Sequence, residues 1–222
     1  MSKKVVILGG TGLGFIIASV IERSGSAEVI GFLNDFEPIG TEIGLKKKFP
    51  VIERTEAITE MLEKDDELSV MCGWAGFKDP ETIFNRLNSL RIPRERFMNV
   101  YDDMAVIPFD YEEMGVGIYA GQFAGVSPNS TIGDHTALLA QSHVGHDSTV
   151  GAFCRISHAI VGSYVKVGNG VHVGLGAAVR EYVTIGDYAI IGMGAIVVKD
   201  VPANAVVFGN PAKIIRYRKR SD

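Results

Sequence analysis

Five histidines occur in this 222-residue chain, His135, His143, His146, His158 and His172, all of them after residue 134. Imidazole is the usual proton acceptor near neutral pH, so this bias points to base chemistry in the C-terminal half. In Val144-Gly145-His146-Asp147-Ser148 a carboxylate directly follows a histidine. A carboxylate that meets one ring nitrogen fixes the tautomer and raises the basicity of the other. His135 and His172 are expected to be polar residues on outer turns. Neither Cys72 nor Cys154 has a CxxC neighbour. Both read as small buried apolar residues in a reducing compartment, not as nucleophiles.

A second constellation lies near the start. Gly9-Gly10-Thr11-Gly12-Leu13-Gly14 follows the apolar run Lys4-Val5-Val6-Ile7-Leu8 and opens a helical pattern. That is the setting for a phosphate at a helix N-terminus. The dinucleotide fingerprint is incomplete, because its third glycine would fall on Phe15, so an NAD-dependent enzyme is disfavoured. Asn34-Asp35 follow the next apolar run, where an acid would meet a ribose hydroxyl.

The elements that must carry these residues divide the chain. Residues 1–100 alternate strand and helix: strands at 4–8, 28–33, 68–72 and 96–100, and helices at 12–23, at 55–64 and from Asp79-Pro80-Glu81 onward. The expected stripe of the first helix is Phe15, Ile16, Ala18, Val20 and Ile21. Short β–α connections imply a parallel sheet with right-handed crossovers, a Rossmann-like α/β domain. Residues 101–113 form a connector. From Val126 to Val197 an aliphatic residue returns every six positions: Val126, Ile132, Leu138, Val144, Val150 and Ile156, then Val161, Val167, Val173, Val179, Ile185, Ile191 and Val197. Glycine usually follows, and a small or β-branched residue sits four positions on, among them Ser130, Thr136, Ser142, Ser148, Cys154, Ile160 and Val165. This period fits neither a helix nor an isolated strand. It marks a hexapeptide solenoid over 114–222, tail included, in which three repeats make one triangular coil. The step from Ile156 to Val161 is five residues, so one coil is short, and such a break can shape a site.

A formal net charge of −4 argues against a general nucleic-acid binder. The apolar stretch 5–21 holds four glycines, is short for a bilayer crossing and lacks a signal cleavage pattern. The protein is expected to be cytoplasmic, with no membrane insertion. The basic tail, Lys213, Arg216, Arg218, Lys219 and Arg220, reads as a solvated terminus.

Across both domains the chain resembles the two-domain sugar acyltransferases of bacterial surface-glycan pathways. These include the nucleotide-linked 4-amino-sugar N-acetyltransferases and the sialic-acid O-acetyltransferase type. The residues that carry the likeness are Gly9–Gly14 with Phe32-Leu33-Asn34-Asp35, Val144-Gly145-His146-Asp147, the hexapeptides, and Val206 to Lys213. The resemblance implies a left-handed parallel β-helix, a homotrimer with active sites between subunits, acetyl-CoA as acyl donor and a nucleotide-linked sugar as acceptor, with no metal. It implies His146 as catalytic base with Asp147 supporting it. Gly12, Leu13, Gly14, Asn34, Asp35 and Gly73 match acceptor-binding positions. Arg155, His158, Gly162, Gly192 and Gly194 fall on the coenzyme A side.

The chain departs from the family at Leu13 and Arg155, where histidines are common, at Leu139, where asparagine is, and at Gly145, where an acid often precedes the base. These departures surround the acceptor and the thioester and point to a different acceptor. His158 is a candidate replacement contact. Three other readings compete with N-acylation. One is O-acetylation of a sugar hydroxyl. Another is an interface zinc hydratase built on His143, His146 and His158, which would have to converge through a neighbouring subunit. The third is a nucleotide-binding scaffold, which leaves His146-Asp147 unexplained.

Overall fold

The computed structural model describes residues 3–74, 80–108 and 114–218. Residue Asp79, residues 109–113 of the expected connector, and Lys219 and Arg220 of the tail lie outside the described residues. Chain contacts divide the described residues into two units, one holding 3–74 and 81–100, the other 101–108 and 114–218.

The first unit is built on five strands: β1 (Lys4–Leu8), β2 (Glu28–Leu33), β3 (Glu42–Ile43), β4 (Phe49–Glu53) and β5 (Ser69–Cys72). Their order is β3-β4-β2-β1-β5. All neighbours pair in parallel except the β3–β4 hairpin. Val5 to Leu8 are fully buried, as a central parallel strand covered on both faces requires. Helix α1 (Leu13–Ser24) starts after Gly12 and ends at Gly25, whose φ of 64° supplies the left-handed turn that closes a helix. Its stripe is turned from the expected one: Ile17 is buried and Ile16 is exposed. The hairpin was not legible, because Lys46–Lys48 and Pro50 break the apolar pattern there. The expected strand over 96–100 is reduced to a bridge from Phe97 to Val70 and the first residue of a short strand, Val100–Tyr101. Residues Arg94–Arg96 instead form a 3-10 turn. The Arg96 guanidinium donates to the carbonyls of Leu62, Asp65, Asp66 and Leu68, which ties the turn to the end of α2 (Ile58–Lys64) and the start of β5.

The second unit is a left-handed parallel β-helix whose coils are two-residue strands on three faces, followed by an antiparallel pair, Ala205–Phe208 with Lys213–Tyr217. The first face stacks strands beginning at Tyr119, Ala137, Arg155, His172 and Ile190. The second stacks those beginning at Gly125, His143, Ile160, Ala178 and Ile196. The third stacks Thr131, Thr149, Lys166 and Thr184. The second residue of each strand points inward, and all thirteen aliphatics of the repeat are at most 4% exposed. At the corners the backbone turns through the left-handed region: φ is 59° at Asn129, 56° at His135, 59° at Gln141, 57° at Asp147 and 56° at Phe153.

The five-residue step is a corner shortened to Ser157, His158 and Ala159. Pairing therefore runs Ala137 to Arg155 before it and His143 to Ile160 after it, eighteen and then seventeen residues apart. Ala159 fills the inward slot at 1% exposure, whereas Ile160, expected there, faces outward at 55%. Counting four residues from Ile156 overshoots a corner that has lost one.

Inward hydroxyls bind successive coils. Ser130 Oγ donates to the Gly145 carbonyl at 2.8 Å, Thr136 Oγ1 to Gly151 at 2.8 Å and Ser148 Oγ to Gly162 at 2.9 Å. Each also accepts a backbone N–H: Ser148 to Ser130 at 3.3 Å, Cys154 to Thr136 at 3.0 Å and Val165 to Ser148 at 3.0 Å. Ser157 is equally buried, yet among the described residues its hydroxyl has no partner. Ser148→Ala, which strands a buried N–H and a carbonyl, should cost about 2–3 kcal/mol by denaturant melting. Ser157→Ala should be neutral or stabilise by up to about 1 kcal/mol in the same measurement.

Candidate functional site

His146 and Asp147 occupy the corner that follows the strand His143–Val144. This corner is clamped from both neighbouring coils. Below, the Asp147 N–H donates to the Pro128 carbonyl at 3.3 Å and Ser130 holds the Gly145 carbonyl. Above, the Gly145 N–H donates to the Val161 carbonyl at 2.8 Å and the Tyr164 N–H to the His146 carbonyl at 3.0 Å. A Cβ on Gly145 would meet the Gly162 carbonyl carbon and the Ser163 nitrogen at 2.6 Å, so no side chain, acidic or otherwise, fits at that position.

On this rigid turn the Asp147 backbone adopts φ 57°, which folds its carboxylate back toward its neighbour. His146 Nδ1 lies 2.6 Å from Asp147 Oδ2. With the Nδ1 proton donated there, Nε2 keeps its lone pair. The His146 side chain is about half exposed, at 51%, so that lone pair is accessible to a substrate. The second carboxylate oxygen accepts from Asn129 Nδ2 at 3.4 Å. The bond from His146 is the largest influence that holds the Asp147 carboxyl below its ordinary range, and Asn129 and Tyr164 add to it. Tyr164 meets the His146 ring edge-on at 5.2 Å. Asn129 and Tyr164 were not singled out from sequence. The signal was there, because residues 129, 147, 164 and 182 align when the chain is stacked by coils of eighteen, or seventeen across the short corner.

The solenoid residues expected on the coenzyme side divide between edges. Gly162 lies on the corner directly above His146, and its carbonyl accepts from Ser148. His158 and Gly194 lie on the preceding corner, linked along it through the backbone of Leu175 and Gly176. Gly192 opens that same corner and packs beneath the Phe208 ring, which would touch a Cβ there at 2.2 Å. Gly194 is open to solvent with φ 66°. Arg155 sits on the first face, and burial lowers the pKa of its half-buried guanidinium. Within one chain, then, His158, Arg155, Gly192 and Gly194 are not brought together with His146; the second face lies between them.

His172, expected on an outer turn, is instead the strand neighbour of Arg155. Burial and the Arg155 charge push its pKa down to about 4. His135 does lie at a corner, with its ring 4.9 Å from that of Phe153. His143 projects from the second face, its Nε2 3.3 Å from Ser127 Oγ. Among the described residues no three His, Cys, Asp or Glu side chains are grouped to hold a metal. Both thiols are buried, and burial pushes each up to about 12.

In the first unit, Gly12, Leu13, Asn34, Asp35 and Gly73 line one cavity of about 410 Å³, together with Gly9, Thr11, Phe36, Trp74 and Ile83. Gly14 does not line it. A Cβ there would stand 2.0 Å from the Gly9 carbonyl oxygen, so Gly14 serves the close approach of α1 to the loop and to Gly73. Asn34 is turned into its own loop, Oδ1 accepting from the Phe36 and Glu37 N–H groups at 2.9 and 3.2 Å. Asp35 accepts from the Thr55 N–H at 3.0 Å and the Thr55 hydroxyl at 2.8 Å, and is ion-paired with Arg86. Burial raises its carboxyl, but the two Thr55 bonds and the Arg86 and Arg54 charges outweigh this and leave it lowered. The Arg86 guanidinium also lies over Trp74, 5.4 Å from its ring. Trp74 is the one tryptophan in the sequence, and its place beside Gly73 was the overlooked signal.

Residues 4–74 match the family model described as the PglD N-terminal domain. The whole fold is similar to that of a histidine variant of perosamine N-acetyltransferase from Caulobacter crescentus, solved in complex with CoA and GDP-perosamine. The TM-score is 0.81 at 26% identity, over 95% of this chain and 96% of that one. The chain is similar, in its N-terminal domain and in its fold, to bacterial sugar acetyltransferases of the hexapeptide family. WeeI from Acinetobacter baumannii AYE shares the fold, with a TM-score of 0.76 at 23% identity over 95% of this chain and 99% of that one. Among curated relatives, an acyl-[acyl-carrier-protein]–UDP-N-acetylglucosamine O-acyltransferase of Pseudomonas entomophila is 38% identical over 100 residues. That match covers 45% of this chain and 38% of the relative, so the chain spans under two-fifths of the length of the curated relatives it matches. No helix among the described residues is long and apolar enough to cross a membrane.

Asp147→Asn keeps the size of the side chain but removes the charge that orients the imidazole. It should lower kcat about 100-fold with an unchanged melting temperature, read by thiol release and by calorimetry.

Proposed function

We propose that this chain transfers an acyl group, acetyl, from acyl-CoA to the amino group of a nucleotide-linked amino sugar in bacterial surface-glycan synthesis. The observation that carries the reading is the 2.6 Å contact between His146 Nδ1 and Asp147 Oδ2 on an exposed, backbone-clamped corner. His146 Nε2 accepts the proton of the acceptor amine as its nitrogen attacks the thioester carbonyl carbon. The new C–N bond forms, the C–S bond breaks, and the imidazolium returns the proton to the departing thiolate. A backbone N–H of a coil turn stabilises the oxyanion. Neither Cys72 nor Cys154 takes part, since a buried thiol held as a thiol is a poor nucleophile.

The cavity at Gly12, Leu13, Asn34, Asp35 and Gly73 is read as the seat of the acceptor's nucleotide. Support comes from its size, suited to a small ligand, and from the GDP-perosamine named with the Caulobacter structure. Arg155, His158, Gly162, Gly192 and Gly194 are read as the coenzyme side. Apart from Gly162, they stand away from His146 within one chain, which fits a homotrimer, read as cytoplasmic, in which one protomer offers the His146 corner and its neighbour the other edge. Sugar O-acylation is the second reading, favoured by the O-acyltransferase relatives that match 45% of the chain.

The test is thiol release from acetyl-CoA with a panel of nucleotide amino sugars and hydroxyl sugars, followed by product mass. An N-acetylated nucleotide sugar is the expected product, and mass gain only on hydroxyl acceptors would replace this reading with the second. His146→Ala should lower turnover by about 1,000-fold or more without changing the oligomer on size-exclusion chromatography; near-wild-type CoA release would remove the assignment. The protein's own thiols should stay silent to an aromatic disulfide reagent until it is unfolded, because both are buried with pKa values raised to about 12.

A further inference from the structure

The corner that carries His146 is one edge of the solenoid, and its side chains form a continuous column. Asn129, Asp147, Tyr164 and Tyr182 occupy the same left-handed position in four successive coils, with φ of 59°, 57°, 57° and 62°. Backbone bonds tie the column together: Asp147 N–H to Pro128, Tyr164 N–H to His146, and Tyr182 N–H to Ser163. Tyr164 stands directly above Asp147, and two of its parts reach the dyad. Its ring meets the imidazole edge-on, centroids 5.2 Å apart at an interplanar angle of 83°. Its hydroxyl is near enough to the Asp147 carboxylate to help lower that carboxyl, to which Asn129 donates from the other side. Tyr182 in turn stacks on Tyr164 at 4.9 Å and 2°, which fixes the ring plane.

We propose that Tyr164 is the positioning residue of the dyad: its ring, packed perpendicular to the His146 imidazole, sets the imidazole plane, and its hydroxyl supports the Asp147 carboxylate that receives the Nδ1 proton. The inference rests on reading His146 and Asp147 as the reacting pair. An imidazole that is half exposed on one wall is free to rotate away from its carboxylate, and a base tumbling between orientations loses the alignment its proton transfer requires. The Tyr164 ring, perpendicular to the imidazole at 5.2 Å, blocks that rotation. The Asp147 charge keeps the phenol protonated, and so a donor. The groups that face Asp147 are His146, Asn129 and Tyr164, and Tyr182 lies behind Tyr164.

Two substitutions separate the parts. Tyr164→Phe keeps the ring and loses the hydroxyl, whereas Tyr164→Ala loses both. A carboxylate stripped of a donor holds its charge in fewer bonds, so it binds a proton or an adjacent imidazolium more tightly. The acid limb of kcat/KM should therefore move to higher pH in Tyr164→Phe, with kcat down about three- to tenfold. Tyr164→Ala should lose more than tenfold in kcat, and Phe should rescue the part that depends on the ring. Carbethoxylation of His146 by diethyl pyrocarbonate, followed across pH by peptide mass spectrometry with His146→Gln as the blank, reads the dyad without any acceptor. Its midpoint should move upward in Tyr164→Phe. Should Tyr164→Ala fail to fold, Tyr164→Phe and Tyr182→Ala, which leaves Tyr164 without its stacked support, carry the test. An acid limb and a carbethoxylation midpoint both unmoved in Tyr164→Phe would overturn the proposal. Wild-type protein inactive on every acceptor would overturn the proposed function, while the carbethoxylation midpoint would still report whether Tyr164 acts on the dyad.

Discussion

A chain that turns a corner every six residues must enter the left-handed region of backbone space at each turn, and the solenoid depends on that constraint being met. For a residue other than glycine the conformation costs about 1–2 kcal/mol. Here it recurs at Asn129, His135, Gln141, Asp147, Phe153, His158, Tyr164, Tyr182 and Tyr188. What offsets the cost is repetition. Every corner donates and accepts backbone hydrogen bonds with the coils on either side, and every strand between corners buries an aliphatic side chain. The same geometry turns the side chains in the middle of each corner outward. A solenoid edge is therefore a rack on which polar residues from successive coils stand in register, and the His146 site is one such rack.

The rigidity of that rack has chemical consequences. A histidine in an ordinary loop would need surrounding side chains to hold its backbone. Here the turn at 145–148 is held by its neighbours above and below, partly through the buried hydroxyls of Ser130 and Ser148. The side chains can then remain half exposed and still be oriented, since Asp147 reaches back to Nδ1 from the adjacent residue. The close packing that makes the clamp also explains the glycine before the base, because the next coil fills the space a side chain would need.

The first unit solves a different problem, that of presenting a cavity at the ends of parallel strands. Gly9, Gly14 and Gly73 let the loop, the helix and the end of β5 come into contact, and Gly12 and Leu13 then face the cavity. Asp35 shows how far the structure alters a reading based on residue type. An acid after the second strand suggested a partner for a ribose hydroxyl. Its oxygens are engaged by Thr55 and Arg86, twenty and fifty-one residues away in sequence, and Arg86 also lies over Trp74. The carboxylate thus organises the cavity wall from within.

The sequence alone determined the solenoid, its core and the place of its break, because a six-residue period is set by the repeat itself and needs no distant contact. It determined His146 and Asp147 as a pair because they are adjacent. It also marked the cavity loop, whose glycines carry a local backbone meaning. The hairpin at 42–53 stayed hidden behind lysines and a proline, and the start of the strand at 96–100 yielded to the side chain of Arg96, whose partners lie about thirty residues away. Only the tertiary structure decided that Ala159 and not Ile160 turns inward, that Asn129 and Tyr164 attend the dyad, and that His158 and Gly194 stand on another edge. Each of those outcomes follows from which residues one coil places over the next. That is fixed by the length of a single corner, and the chain can register it only by closing the turn.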